Sequence, residues 1–197
     1  MPTARDTQRQ VRATAYRQAG YITARQALEL GLTYQAQKYH ADHGNWVRVA
    51  RGIYRLRDWP STVEDAYVLW SLWSGGRGVL SHATALAVHD LGVLDPGHVH
   101  LTVPPGFRAQ HPVVVTTAAV LPATDVEQRE AYRVTTPLRT LLDVAAAADT
   151  TQEAVTDVVA DALDRGVVTA GRLRRRIDEA GERAALRVER ALGAVAR

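Results

Sequence analysis

The sequence contains no cysteine. That one absence removes disulfides, thiolate zinc sites and a cysteine nucleophile together, and it fits a reducing compartment. No stretch approaches the run of about 18 apolar residues that a membrane-spanning helix requires. The first residues, MPTARDTQRQVR, are polar and lack the apolar segment of a secretory signal. These absences lead us to expect a cytoplasmic protein with no membrane partner. Internal repeats are missing, and the only biased tract is the alanine run 145–148. What is present in quantity is apolar material, 46% of 197 residues, enough for one or two domains without covalent staples.

Charge is unevenly placed. Residues 1–58 hold ten Lys/Arg against four Asp/Glu, a net of +6, whereas residues 59–197 hold fourteen against seventeen, a net of −3. A basic segment followed by a mildly acidic one points either to two modules with different partners or simply to a well-solvated surface.

Along the chain, glycines and hydroxyl caps punctuate the pattern. Residues 5–19 are helix-permissive, with Val11, Ala15 and Ala19 four apart, and Gly20 ends them. Thr23 caps a second helix that Gly31 closes; Thr33 caps a third that Gly44 closes. Two short helices joined by a glycine-containing turn are the helix-turn-helix signature. Trp46, Val47, Val49, Ile53, Tyr54 and Leu56 then read as a hairpin turning at 50–52, which in that position is a wing. Residues 58–61, with Pro60, read as a linker. The predicted fold class is therefore α+β: a winged helix-turn-helix over 1–58, then a mixed α/β domain over 61–197 with a small sheet and a helical C-terminus.

The second module is predicted to begin with a helix over 62–74, broken at Gly75–Gly78, and to continue with a helix capped by Ser81. Strands follow over 98–103, 112–117 and 126–134. Thr136 and Pro137 open a helix, Thr150 and Glu153 form a capping box for the next, Thr169 begins another, and the last starts near Glu182 with Val188, Leu192 and Val195 on one side.

A recognition helix presents its N-terminal residues to base edges in the major groove. Here those are Thr33, Tyr34, Gln35, Gln37 and Lys38, with Ala36 and His40 turned inward. Gln pairs with adenine through two hydrogen bonds, and Lys reaches guanine or phosphate. Arg48 and Arg51 lie on or beside the wing, placed for phosphates or a minor groove, and Arg5, Arg9 and Arg12 recur along the first helix. Winged helices also serve as protein-interaction domains, and polar residues on an exposed helix are ordinary.

No catalytic set emerges. His82 and His89 share a helix, and His98 and His100 share a strand face, but no spacing matches a metal signature. Asp157, Asp161 and Asp164 read as a solvated acidic face. Gly75–Gly78 lacks the Lys-Ser/Thr of a phosphate loop, and Ser81 lacks the G-x-S-x-G setting. We therefore expect no enzyme activity, no cofactor and no metal. Arg139 and Asp143, four apart, would orient their helix if partly buried. Arg172, Arg174, Arg175 and Arg176 form the one dense basic cluster of the second module: a partner-binding patch or a solvated helix face.

Taken in order, the segments GYITARQALELGLT, WVRVARGIYRL, VLSHATALAVHDLG, HVHLTVPPG, TTPLRTLLDVA and ALDRGVVTAGRL resemble the AbiEi-type antitoxin family of bacterial abortive-infection toxin–antitoxin systems, from about Gly20 to Leu173. The resemblance implies an N-terminal winged helix that represses the protein's own operon by binding its promoter. It also implies a C-terminal domain that counteracts a nucleotidyltransferase-like toxin. Toxin binding through Arg172, Arg174, Arg175 and Arg176 is one expectation; opposition at the toxin's target without contact is the other. The alternative class is a stand-alone winged-helix regulator whose second domain binds a ligand or dimerises. The residues after the RTLLD segment carry no acidic catalytic cluster, which departs from longer relatives bearing a nuclease-like domain.

Overall fold

The computed structural model describes residues 3–92 and 97–195. It is an α+β protein whose chain falls into two compact units. The first comprises residues 1–77 together with 129–132, the second residues 78–128 and 133–197.

The first unit has the winged-helix element order. α1 (Ala4–Tyr16) is followed by β1 (Tyr21–Thr23), α2 (Ala24–Glu29), α3 (Tyr34–Asp42), β2 (Trp46–Ala50), β3 (Ile53–Leu56) and α4 (Asp65–Trp73). The caps do what the sequence suggests. Thr23 accepts the Gln26 N–H while the Gln26 side chain accepts the Thr23 N–H, and the Thr33 hydroxyl accepts from Ala36. Thr3 and Asp6 form a further capping box that starts α1. Gly20 turns the chain at φ +80, where a Cβ would lie 2.3 Å from Trp59, so no side chain fits there. The strands pair antiparallel in the order β1-β3-β2, with a register shift between Arg48 and Ala50. Val11, Ala15, Ile22, Ala27, Leu32, Trp46 and Leu56 form the core.

Two sequence expectations change here. β1 is an addition, because three residues between two helices carry too short an alternation to register as a strand. α4, expected to open the second module, groups with the first, and the compact units divide between Arg77 and Gly78 rather than around residues 58–61. α4 packs against β1 and β3, and a largely buried ion pair ties it there: Arg55 of β3 meets Asp65 of α4 at 2.8 Å, with side-chain exposures of 17% and 15%.

The second unit contains β4 (Val79–Leu80), α5 (His82–His89), β5 (Val99–Val103), β6 (Val114–Ala118), β7 (Val126–Gln128), β8 (Arg133–Thr135), α6 (Pro137–Ala146), α7 (Gln152–Asp164), α8 (Ala170–Arg176) and α9 (Glu182–Val195). Its sheet runs β6-β5-β4-β8-β7, with β4 and β8 parallel, β5 and β6 parallel and the other pairs antiparallel. The single strand expected over 126–134 is thus a hairpin, its ends pairing as Val126 with Thr135. Ser81 does not cap α5 through its side chain; its hydroxyl meets His82 Nδ1 at 3.0 Å. The cap of α7 is Thr151, one residue after the expected Thr150, and it accepts from Ala154 N–H.

The core of this unit gathers Leu141, Leu142, Val155, Val158, Val159, Leu173, Val188 and Leu192. Val188 and Leu192 of the α9 stripe therefore pack in the core, while Val195 is exposed. Arg187 of that helix is buried and donates to the carbonyls of Ala145 and Ala147, both at 2.9 Å, and to Thr150 O. A cation there satisfies the orphan carbonyls at the end of α6. Among the described residues no helix is long and apolar enough to cross a membrane, and no group of three or more His, Cys, Asp or Glu is placed to hold a metal ion.

Candidate nucleic-acid interface

The geometry of α3 decides which side chains are available. Its packing against α2 and the sheet leaves Tyr34, Gln35, Lys38 and Tyr39 outward. Positions 34 and 38, and 35 and 39, are one turn apart, so these side chains share one face. Tyr34 and Tyr39 are 67% and 56% exposed. Tyr39 lies beyond the residues that the sequence singles out, though its four-residue spacing from Gln35 carries the signal. Its ring stacks on His43, with centroids 3.8 Å apart. Thr33 accepts the Ala36 N–H, a bond that leaves its hydroxyl proton able to donate outward.

Gln37 departs from expectation. Placed by sequence among the base-facing residues, it is 1% exposed. Its amide donates to the carbonyls of Leu32 at 3.0 Å and Ala24 at 3.2 Å, tying α3 to α2 and the intervening turn, and its Oε1 is buried without a partner among the described residues. Gln37 thus joins the inward residues, alongside Ala36, which packs partly buried against the core. His40 is partly buried and stacks on Trp46, centroids 5.0 Å apart and planes 17° from parallel, fixing the end of α3 against β2. Burial lowers its pKa, with a further push from His43. Gln37→Ala leaves two backbone carbonyls without their donor, so it should destabilise the unit by about 1–3 kcal/mol. Denaturant melts should show that loss while the folded fraction keeps its preference for the promoter over unrelated DNA; a lost preference would place Gln37 at the surface after all.

Lys38 donates to Asp42 at 2.6 Å, both exposed, and that hydrogen bond raises its pKa. A pair so open to solvent exchanges readily for a guanine edge. On the wing, Arg48 and Arg51 are exposed, and among the described residues neither meets a carboxylate. Gly52 turns the wing at φ +70. On α1, Arg9 pairs with Asp6 at 2.6 Å and Arg12 with Asp58 at 3.2 Å, whereas Arg5 has no such partner among the described residues. Guanidiniums without carboxylates on a wing, and an aromatic-polar face on the preceding helix, are what a phosphate backbone and base edges can engage.

The basic cluster of the second unit divides. Arg176 donates to the fully buried carboxylate of Asp125 at 2.5 and 2.9 Å and pairs with Glu179. Arg174 reaches Glu189 at 3.1 Å on the surface. The sequence leaves the cluster open between a partner-binding patch and a solvated helix face; Arg176 is held within the unit by the buried Asp125, whereas the pair of Arg174 is open to solvent. Arg172 and Arg175 are exposed and have no carboxylate among the described residues.

Arg139 completes the buried network, meeting Asp125 at 3.3 Å and Asp143 at 2.8 Å. The hydrogen bond from Arg176 holds Asp125 below the usual carboxylate range. Burial pushes Asp143 up to about 6, against the pull of Arg139, and its Oδ2 has no partner among the described residues. A carboxyl whose folded pKa lies above its unfolded value near 4 binds its proton preferentially in the native state. Its contribution to stability therefore falls as pH rises from about 4 to about 6 and stays flat above. Asp143→Asn should abolish that slope, worth at most about 3 kcal/mol. Urea midpoints at about pH 4.5 and 7 test it; parallel pH curves for the two proteins would refute the assignment.

Compared with known proteins, residues 9–57 match a family model described as "Transcriptional regulator, AbiEi antitoxin". No curated protein sequence matches the chain. Its fold is similar to that in a crystal structure of the RV2827C protein from Mycobacterium tuberculosis, with a TM-score of 0.57 and 16% identity over 96% of this chain and 80% of that one. That likeness extends the shared fold through the second unit, beyond the segment the family model covers.

Proposed function

We propose that the protein is a DNA-binding antitoxin of the cytoplasm that represses its own operon through the winged helix. The carrying observation is the match of residues 9–57 to an antitoxin transcriptional regulator family, over the segment that presents Tyr34, Gln35, Lys38, Arg48 and Arg51 to solvent. The outward face of α3 enters the major groove, and the wing arginines hold the backbone. Through its second unit the protein counteracts a nucleotidyltransferase-like toxin, and it works by binding rather than catalysis. With Arg176 held by a buried carboxylate and Arg174 in a surface pair with Glu189, Arg172 and Arg175 are the cations of the cluster without a carboxylate among the described residues, left for a toxin surface.

Band-shift titration of the full chain on its upstream DNA, across a salt series, tests the first half. The logarithm of affinity should fall linearly with the logarithm of salt, and unrelated DNA should bind far more weakly. Equal affinity for all sequences would reject repression of a specific operon. Co-expression with the neighbouring gene product tests the second half: a co-purified complex that is lost, together with protection, in an Arg172→Glu, Arg175→Glu variant supports contact, whereas full protection without a detectable complex supports opposition at the target. The second reading, a stand-alone regulator whose second domain binds a ligand, is favoured by one observation, a basic cleft in the second unit.

A further inference from the structure

Between the first turn of α6 and α8, the second unit holds a half-open cleft of about 440 Å³. That volume falls within the range of small-ligand sites. Arg172 and Arg175 project from the same face of α8 onto it, and neither has an ion-pair partner among the described residues. Arg176 also reaches the cleft, but Asp125 and Glu179 hold its guanidinium, so it forms a fixed wall.

We infer that this cleft is a binding site for a nucleoside phosphate. Two guanidiniums without carboxylates, three residues apart on one helix, are matched to the several oxygens of a phosphate and give charge-assisted hydrogen bonds. Thr136 lies on the opposite wall, at the start of α6, where the helix contributes a partial positive charge to the same space. A bare anion would leave the rest of the cleft unused. Pro137 and Val167 provide an apolar side on which a base can lie. Two cations beside an apolar wall together fit the phosphate and the base of a nucleotide.

The site is separate from the winged helix, so its failure and that of the DNA-binding reading can be told apart: variants in the cleft should leave promoter affinity unchanged. Calorimetry of the full chain with AMP, adenosine and inorganic phosphate tests the inference. AMP should bind saturably below about 1 mM, with adenosine and phosphate each at least about tenfold weaker. Arg172→Ala with Arg175→Ala should weaken AMP by about 100-fold at unchanged melting temperature, since each charge-assisted hydrogen bond removed is worth roughly tenfold. Arg174→Ala, whose guanidinium serves Glu189, should leave AMP affinity as it was. A short 5′-phosphorylated RNA distinguishes the source of the phosphate: tighter binding than AMP identifies a strand end as the occupant, and equal binding a free nucleotide. No AMP binding at about 1 mM, adenosine binding equal to AMP, or an unchanged affinity in the double variant would overturn the assignment.

Discussion

A variant carrying Arg48→Glu and Arg51→Glu is expected to bind every DNA sequence, promoter and competitor alike, about 100-fold or more weakly. The two guanidiniums are exposed and without carboxylate partners among the described residues, so nothing in the fold needs them and stability should hold. The role proposed for them is electrostatic. Each neutralised phosphate releases counterions and contributes close to one unit to the slope of log affinity against log salt. Removing both arginines should reduce that slope by about two, and reversing the charge adds repulsion. Changes on α3 should behave differently. Gln35→Ala and Lys38→Ala should each weaken promoter binding by about 1–3 kcal/mol, the worth of a hydrogen-bonded base edge, while leaving non-specific binding nearly intact. Full promoter affinity in the double wing variant, with circular dichroism unchanged, would remove the wing from the interface.

The largest effect on stability is expected from Asp125→Ala. Its carboxylate is wholly buried and accepts from two arginines that come from different helices, Arg139 of α6 and Arg176 of α8. Removing it strands cations that are themselves only about a quarter exposed, with side-chain values of 24% and 26%. Breaking a buried pair from one side costs about 3–5 kcal/mol. Because Arg139 keeps Asp143 and Arg176 keeps Glu179, the lower end applies, about 3 kcal/mol, or roughly 10 °C in melting temperature for a unit of this size. The pH dependence has a definite sign. Asp125 is held below its ordinary pKa, so its contribution is fully present above the unfolded carboxylate value and is lost as pH falls through the folded one. The gap between variant and parent should therefore narrow in acid, the reverse of the slope expected from Asp143. A melting temperature within about 2 °C of the parent at neutral pH would show that the network contributes little.

Some of this is written in the sequence by itself. Caps and glycines act over three or four residues, so Thr23, Thr33, Gly20, Gly31 and Gly44 locate the helices of the first unit without tertiary information. The hairpin after them, and hence the wing with Arg48 and Arg51, follows from strand formers on either side of Gly52. The pairing of Arg139 with Asp143 follows from their four-residue spacing.

The tertiary structure decides what depends on facing surfaces. Gln37 looks like a base reader because it is polar, yet the carbonyls of Ala24 and Leu32 give its amide a buried place, and no local pattern announces acceptors outside its own helix. The residues 126–134 read as one strand because their turn, 129–132, carries no glycine or proline; only pairing of Val126 with Thr135 bends them back. The four arginines of 172–176 are equivalent as letters. Asp125, fifty-one positions before Arg176, takes that one, Glu189 takes Arg174, and Arg172 and Arg175 are left facing the cleft. Charge partners so distant in the chain become neighbours only when helices pack, because a buried carboxylate such as Asp125 must be met by whatever cation the fold brings within reach.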